Sequence, residues 1–177
     1  MTNNTNLEKK PYIIDIDGVT LLTTSEAKRI AKKYRNIGKP WWLRSKGDDT
    51  GFVNAVNDPA FVATVNDHGD VLNHSFDAYN YYYGGSDESN VFACNWFGVR
   101  PALKFTNRSI SNLQTGDHFE IADHMWTVVA KNLALCDEII KTCKFDMKTN
   151  DYDQSYIKNW LTKWAVKNHL LPTERTE

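Results

Sequence analysis

The chain has 177 residues, 41% of them hydrophobic and 24% charged, with a formal net charge of -1 at pH 7. That balance is ordinary for a folded globular domain; it excludes a disordered polyelectrolyte and any whole-molecule attraction to nucleic acid or an anionic membrane. No run reaches the roughly 18 apolar residues of a membrane span, and the polar opening MTNNTNLEKKPY has no apolar signal core, so the expected location is the cytoplasm, of a bacterium or of a phage-infected host.

Residues 1–10 read as a disordered lead-in and 11–171 as a single α+β domain. In YIIDIDGVTLLTT, apolar residues flank Asp15, Asp17 and Gly18. The pattern reads as strands over 12–16 and 19–22 about a turn in which Asp17 accepts backbone N–H groups and Gly18 takes an awkward dihedral. The same letters resemble the opening of the aspartate-nucleophile phosphatases of the haloacid dehalogenase type. There the first aspartate attacks phosphorus and the second protonates the leaving group beside magnesium. Val19 stands where that class places a hydroxyl, and the next acidic pair, Asp48 and Asp49, follows too soon for the strand–helix crossovers such a fold needs. The turn is the better reading; a phosphohydrolase is an alternative.

Thr23 lies three before Glu26, a capping-box spacing. Ala27, Ile30, Ala31 and Tyr34 then recur at helical intervals, predicting a helix over 25–35. Its other face carries Lys28, Arg29, Lys32, Lys33 and Arg35. This basic patch is either a solvated helix surface or, through Lys28 and Lys32, a partner contact; direct nucleic-acid binding is disfavoured by the many acids nearby. Gly38 and Pro40 end the helix. In WWLRS, strand alternation sends Trp41 and Trp42 to opposite faces, one to the core and the other under the helix or into a groove, which makes Trp42 a candidate contact. Further strands are expected over 51–56 and 61–65, with a polar turn over 66–70.

The segment YNYYYGG contains Tyr79, Tyr81, Tyr82 and Tyr83, too many aromatics in a row for one buried face. Tyrosine gives large contact area at low entropy cost, so these four are the chief candidates for a binding loop, for protein or for sugar. Residues 90–105 are apolar and β-prone but broken at Gly98 and Pro101. Arg44 and Arg100 each sit in an apolar run and need a carboxylate or several carbonyls. They read as structural arginines pinning loops, with Asp15, Asp17, Asp48 and Asp49 as available partners, or else as a shared anion site. A polar link over 106–116 precedes a hairpin with strands 118–121 and 125–130, a strand over 133–135 and a helical turn over 137–141. A helix follows from Ile157 to about Asn168, marked by Trp160, Leu161, Trp164 and Ala165.

Cys94, Cys136 and Cys143 are odd in number and irregular in spacing, as expected of reduced buried thiols, and no gap matches a zinc knuckle. His118 and His124 flank a turn and could approach one another with Asp117 or Asp123. No nucleophilic triad, metal or cofactor site is expected.

WWLRSKG followed by GVRPAL resembles a domain family of bacteria and phages whose signature runs WWLRSPG and then GVRPAL. GDHFEIADHMWTVVA, SYIKNWLTKW and LTTSEA are similar to its other segments, but the order is changed, with the usual first module standing last. The arrangement looks like a circular permutation in which the 106–116 link joins the old ends, between a signature half, 11–105, and a tryptophan-helix half, 117–171. Lys46 replaces the family's proline. In outline the pattern is similar to C-type-lectin-like domains, which implies a twisted, mostly antiparallel sheet with two main helices and carries no mechanism. Together these readings predict a non-catalytic binding protein of phage or mobile-element origin. It would recognise a host protein, with inhibition of a host defence enzyme as the sharper version and a carbohydrate-binding, lectin-like module as an alternative.

Overall fold

The computed structural model describes residues 14–47, 61–72, 96–108, 113–146 and 149–172. The apolar–polar alternation of IDIDGVT forms one strand, β1 (Ile14–Thr20), rather than two about a turn. β6 (Ala102–Asn107) pairs with it antiparallel on both sides of Gly18, and the extra residue is absorbed as an irregularity between Ile16 and Gly18. Gly18 is not among the glycines with positive φ, so it supplies no left-handed turn.

Thr23 then caps α1 (Thr24–Arg29) with the full capping box: its hydroxyl accepts from the Glu26 N–H, and the Glu26 carboxylate accepts from the Thr23 N–H. The helix predicted over 25–35 is interrupted. Ile30 and Ala31 take extended backbone, and a separate single turn follows as α2 (Lys32–Arg35). Ile30 keeps its expected place in the core at 3% exposed, while Ala31, expected on the same apolar face, is exposed.

After α2 come β2 (Trp41–Lys46), β3 (Val62–Val65) and β4 (Val71–Leu72), with Asn66 side-chain and backbone bonds closing the turn between β3 and β4. β5 (Trp96–Val99) leads through Pro101 into β6. Then follow β7 (His118–Ile121), β8 (His124–Ala130), β9 (Leu133–Cys136), β10 (Lys141–Lys144), a 3-10 turn at Tyr152–Gln154 and α3 (Tyr156–Lys167). Where a helical turn was expected over 137–141, the chain instead bends at Asp137 and enters β10; the Ile140 N–H bonds to the Val99 carbonyl, drawing the segment onto a sheet edge.

The described strands form two five-stranded sheets, mostly antiparallel, in an α+β fold. Sheet 1 has the order β1-β6-β9-β8-β7, and sheet 2 the order β10-β5-β2-β3-β4. Strands from before and after 106–116 are hydrogen-bonded in both sheets: β6 pairs with β9, and β10 with β5. Pro101 marks the place where the chain leaves sheet 2 for sheet 1, so its missing N–H interrupts no ladder.

One hydrophobic cluster joins the sheets and α1 through Ala27, Trp41, Leu43, Val65, Ala102 and Leu135. On the other side α3 supplies two more. Ile157 and Leu161 pack with Trp42, Val99 and Phe145, while Ala165 packs with Leu103, Trp126 and Cys136. No helix among the described residues is long and apolar enough to cross a membrane.

Candidate functional site

The two tryptophans of WWLRS do face opposite ways, but both are 0% exposed. Trp41 packs between the sheets and its indole N–H donates to the Arg35 carbonyl. Trp42 packs toward α3, edge-on to Phe97 and Phe145, and donates to the Cys143 carbonyl at 2.9 Å. Trp42 is therefore core and offers nothing to a partner, because α3 occupies the face on which a groove was expected.

Arg100 is 3% exposed. Its Nε donates to the Cys136 carbonyl at 2.7 Å and its Nη1 to the Tyr34 carbonyl at 2.6 Å, with a longer bond to Arg35 at 3.4 Å. The guanidinium carbon lies 5.1 Å from the Trp41 ring centre. Burial pushes this guanidinium down to about 10, with the neighbouring Cys136 and Asp137 opposing that fall. Among the described residues carbonyls, and no carboxylate, accept hydrogen bonds from Arg100. Two of these carbonyls belong to the end of α2, where a helix leaves acceptors unpaired.

Arg44 does a weaker version of the same job. Its Nη2 reaches Glu26 at 3.5 Å, and its buried Nε has no partner among the described residues. Among the described residues the two arginines share no partner. Asp15 and Asp17 are not their partners either. Asp15 pairs with Arg108 at 3.1 Å and Asp17 accepts from the Thr106 hydroxyl at 2.9 Å, both exposed on the edge strand β1. That strand is antiparallel to its neighbour, unlike the parallel sheet mouth at which an aspartate nucleophile works. Asp48 and Asp49 lie outside the described residues, as do Cys94 and the tyrosines Tyr79, Tyr81, Tyr82 and Tyr83.

Of the five cations predicted for the basic face, Lys28, Arg29, Lys32 and Lys33 are exposed and Arg35 is half-buried. Lys28, Arg29, Lys32, Lys33 and Lys39 are all exposed along the α1–α2 ridge and the loop after it. Lys32 is held by Asp70 of the β3–β4 turn at 2.7 Å, and that bond lowers the Asp70 carboxyl below its ordinary value. Arg35 bends back to donate to the Ala27 carbonyl. Lys28, Arg29, Lys33 and Lys39 have no ion pair among the described residues, although Lys33 lies over the Tyr34 ring at 5.0 Å.

The histidines are organised differently from the expected pairing with Asp117 or Asp123. Ala122 and Asp123 adopt φ of 56° and 60°, a two-residue turn of the type that matches strand twist. This turn fixes the β7–β8 register, and the β8–β9 ladder brings the chain after Cys136 alongside. His118 then meets the Thr127 hydroxyl at 2.9 Å, and Thr127 donates to Asp137. His124 meets Glu138 and lies tilted against the Trp164 ring, with the ring centres 5.5 Å apart. Cys136 lies beside the second pair, fully buried, with its thiol pushed up to about 11 by burial; Cys143 is raised to the same value for the same reason. Sequence reading missed Asp137 and Glu138 as partners. The available signal was the alternation of β9 continued beyond Cys136, which the expected helical turn concealed.

No protein-family model, curated protein or solved structure matches this chain.

Proposed function

We propose that the chain is a non-catalytic binding protein, of phage or mobile-element origin, that recognises an acidic protein surface in the host cell and so inhibits a host defence enzyme. The observation that carries this is the ridge of Lys28, Arg29, Lys33 and Lys39, exposed and without ion pairs among the described residues, on a chain whose formal net charge is -1. Cations concentrated on one ledge of a nearly neutral molecule create a local field that orients an approaching acidic partner, and such fields raise association rates by about tenfold or more at low salt. The two short helices carrying the ledge are anchored beneath by Ile30, and their end by Arg100, so the charges sit on a fixed frame. The tyrosine-rich segment favours the same class of function, and the resemblance to a phage and bacterial family bears on origin alone.

The test immobilises the full chain and its Lys28→Glu/Arg29→Glu/Lys33→Glu variant and compares the protein each retains from nuclease-treated host lysate. The expected result is a defined protein band whose retention falls about tenfold in the variant and declines with added salt. Equal retention by both forms overturns the reading. Retention that disappears with nuclease treatment moves the ridge to phosphate-backbone binding.

A further inference from the structure

The antiparallel register of β8 and β9 places Trp126 opposite Cys136 and Thr127 opposite Leu135. Continued outward, that register sets position 124 opposite 138, and the Asp137 N–H bond to the Met125 carbonyl at 2.9 Å shows that pairing does continue. Alternation then sorts the side chains. Thr127 and Asp137 share one face of sheet 1 with His118. His124 and Glu138 share the other face with Cys136.

On that second face a His ring nitrogen, the Cys136 Sγ and a Glu138 carboxylate oxygen all lie within 4.8 Å of one another. A tetrahedral zinc ion, with bonds of about 2.0–2.3 Å, needs its ligand atoms roughly 3.3–3.8 Å apart. His124 and Glu138 are already in contact, and the Glu138 side chain, 58% exposed, is placed where it can adjust to an ion between them and the thiol. The frame around it is rigid. The Glu138 N–H bonds to the Cys136 sulfur, the Cys136 N–H bonds to the Pro101 carbonyl, and Arg100 holds the Cys136 carbonyl. A backbone N–H directed at a ligand sulfur stabilises a metal thiolate, the supporting role that fixes metal ligands generally. Trp164 covers the imidazole from α3, and Glu138 leaves an entry path from solvent.

We propose that His124, Cys136 and Glu138 form a binding site for a zinc-class divalent transition-metal ion. One imidazole, one thiolate and one carboxylate suit Zn²⁺ or Co²⁺; magnesium and calcium prefer all-oxygen sets. On binding, the metal takes the place of the Cys136 proton, which leaves to solvent. Among the described residues no fourth His, Cys, Asp or Glu joins the group, so the fourth position falls to water. This site does not depend on the function proposed for the basic ridge.

The test titrates the metal-free full chain with Co²⁺ and follows absorption. One equivalent should give a sulfur-to-cobalt charge-transfer band together with the intense visible bands of tetrahedral cobalt, both abolished by competing Zn²⁺. Cys136→Ser should lose the charge-transfer band, while Cys94→Ser and Cys143→Ser keep it. Since Cys136 lies in the core, Glu138→Gln supplies a second readout. It changes a half-exposed side chain and should weaken Co²⁺ binding at least tenfold, and it should remove the rise in melting temperature that Zn²⁺ gives the wild type. Absence of the band in the wild type, its persistence in Cys136→Ser, or unchanged affinity in Glu138→Gln overturns the proposal.

Discussion

Replacing Arg100 by Met keeps most of the buried volume and removes the charge and the fork. Two short bonds to the Cys136 and Tyr34 carbonyls are lost, each a hydrogen bond from a charged group worth about 1.5–3 kcal/mol. The stacking on Trp41, in a desolvated setting, adds about 1–2 kcal/mol. Against this, methionine no longer bears the cost of burying a cation. The fall of the guanidinium from its ordinary value to about 10 puts that cost at about 3 kcal/mol, counting 1.36 kcal/mol for each tenfold change in acidity. The net loss is therefore about 1–5 kcal/mol, centred near 3. At about 2–4 °C per kcal/mol for a chain of this size, the melting temperature should drop by roughly 6–12 °C. Arg100→Lys should fall between the two, because an ammonium can reach one carbonyl group but cannot fork between two. Urea unfolding followed by tryptophan fluorescence measures the difference. If Arg100→Met is as stable as the wild type or more so, the carbonyl bonds are not what makes this buried charge tolerable, and the account of the GVRP segment fails.

Two further outcomes follow from the same frame. A Cβ added at Gly98 would sit 2.4 Å from Cδ1, 2.8 Å from Cγ1 and 2.9 Å from Cγ2 of Ile139. Gly98→Ala should thus cost about 1–3 kcal/mol in chemical denaturation, and adding Ile139→Ala should recover part of that loss, a coupling absent if the clash is not the cause. At Glu26, burial pushes the carboxyl up, but the Thr23 backbone and hydroxyl bonds and Lys104 outweigh it, leaving the group below its ordinary 4.5. A depressed folded-state value means that ionised Glu26 contributes stability above pH 4.5, and that this contribution is lost as pH falls through the lower folded value. Melting curves from neutral to acidic pH should show the gap between wild type and Glu26→Gln closing across that window; a constant gap would count against the linkage.

Features set by neighbours in sequence were legible. Thr23 and Glu26 announced the start of α1, the hairpin of β7 and β8 was readable from its alternation, and α3 begins one residue before the first periodic position at Ile157. Features set by contacts distant in sequence were not. The helix stops at Arg29 and leaves Ile30 in the core but Ala31 exposed, a division that no local propensity records. Arg100 was identifiable as an arginine requiring partners, yet the choice of carbonyls over carboxylates depends on where α2 ends and where β9 passes. The same limit hid Glu138: its place beside His124 exists only once the β8–β9 register is fixed.

Gly98, Val99, Arg100 and Pro101 then acquire separate physical reasons. Gly98 is small because Ile139 lies against it, Val99 is fully buried under α3, and Pro101 sits where the chain changes sheets. Arg100 does the most, since one guanidinium holds the end of the basic ridge through Tyr34 and the strand that carries Cys136 through its carbonyl. The ridge and the thiol-bearing site are thereby fixed to a common cation, though neither uses its charge for a ligand. Arg100→Lys, if it stays folded, should therefore weaken retention on the ridge and cobalt affinity at the thiol together, by loosening two backbones at once. A variant that disturbs one and leaves the other at its wild-type value would separate the two frames and confine the arginine to stability alone.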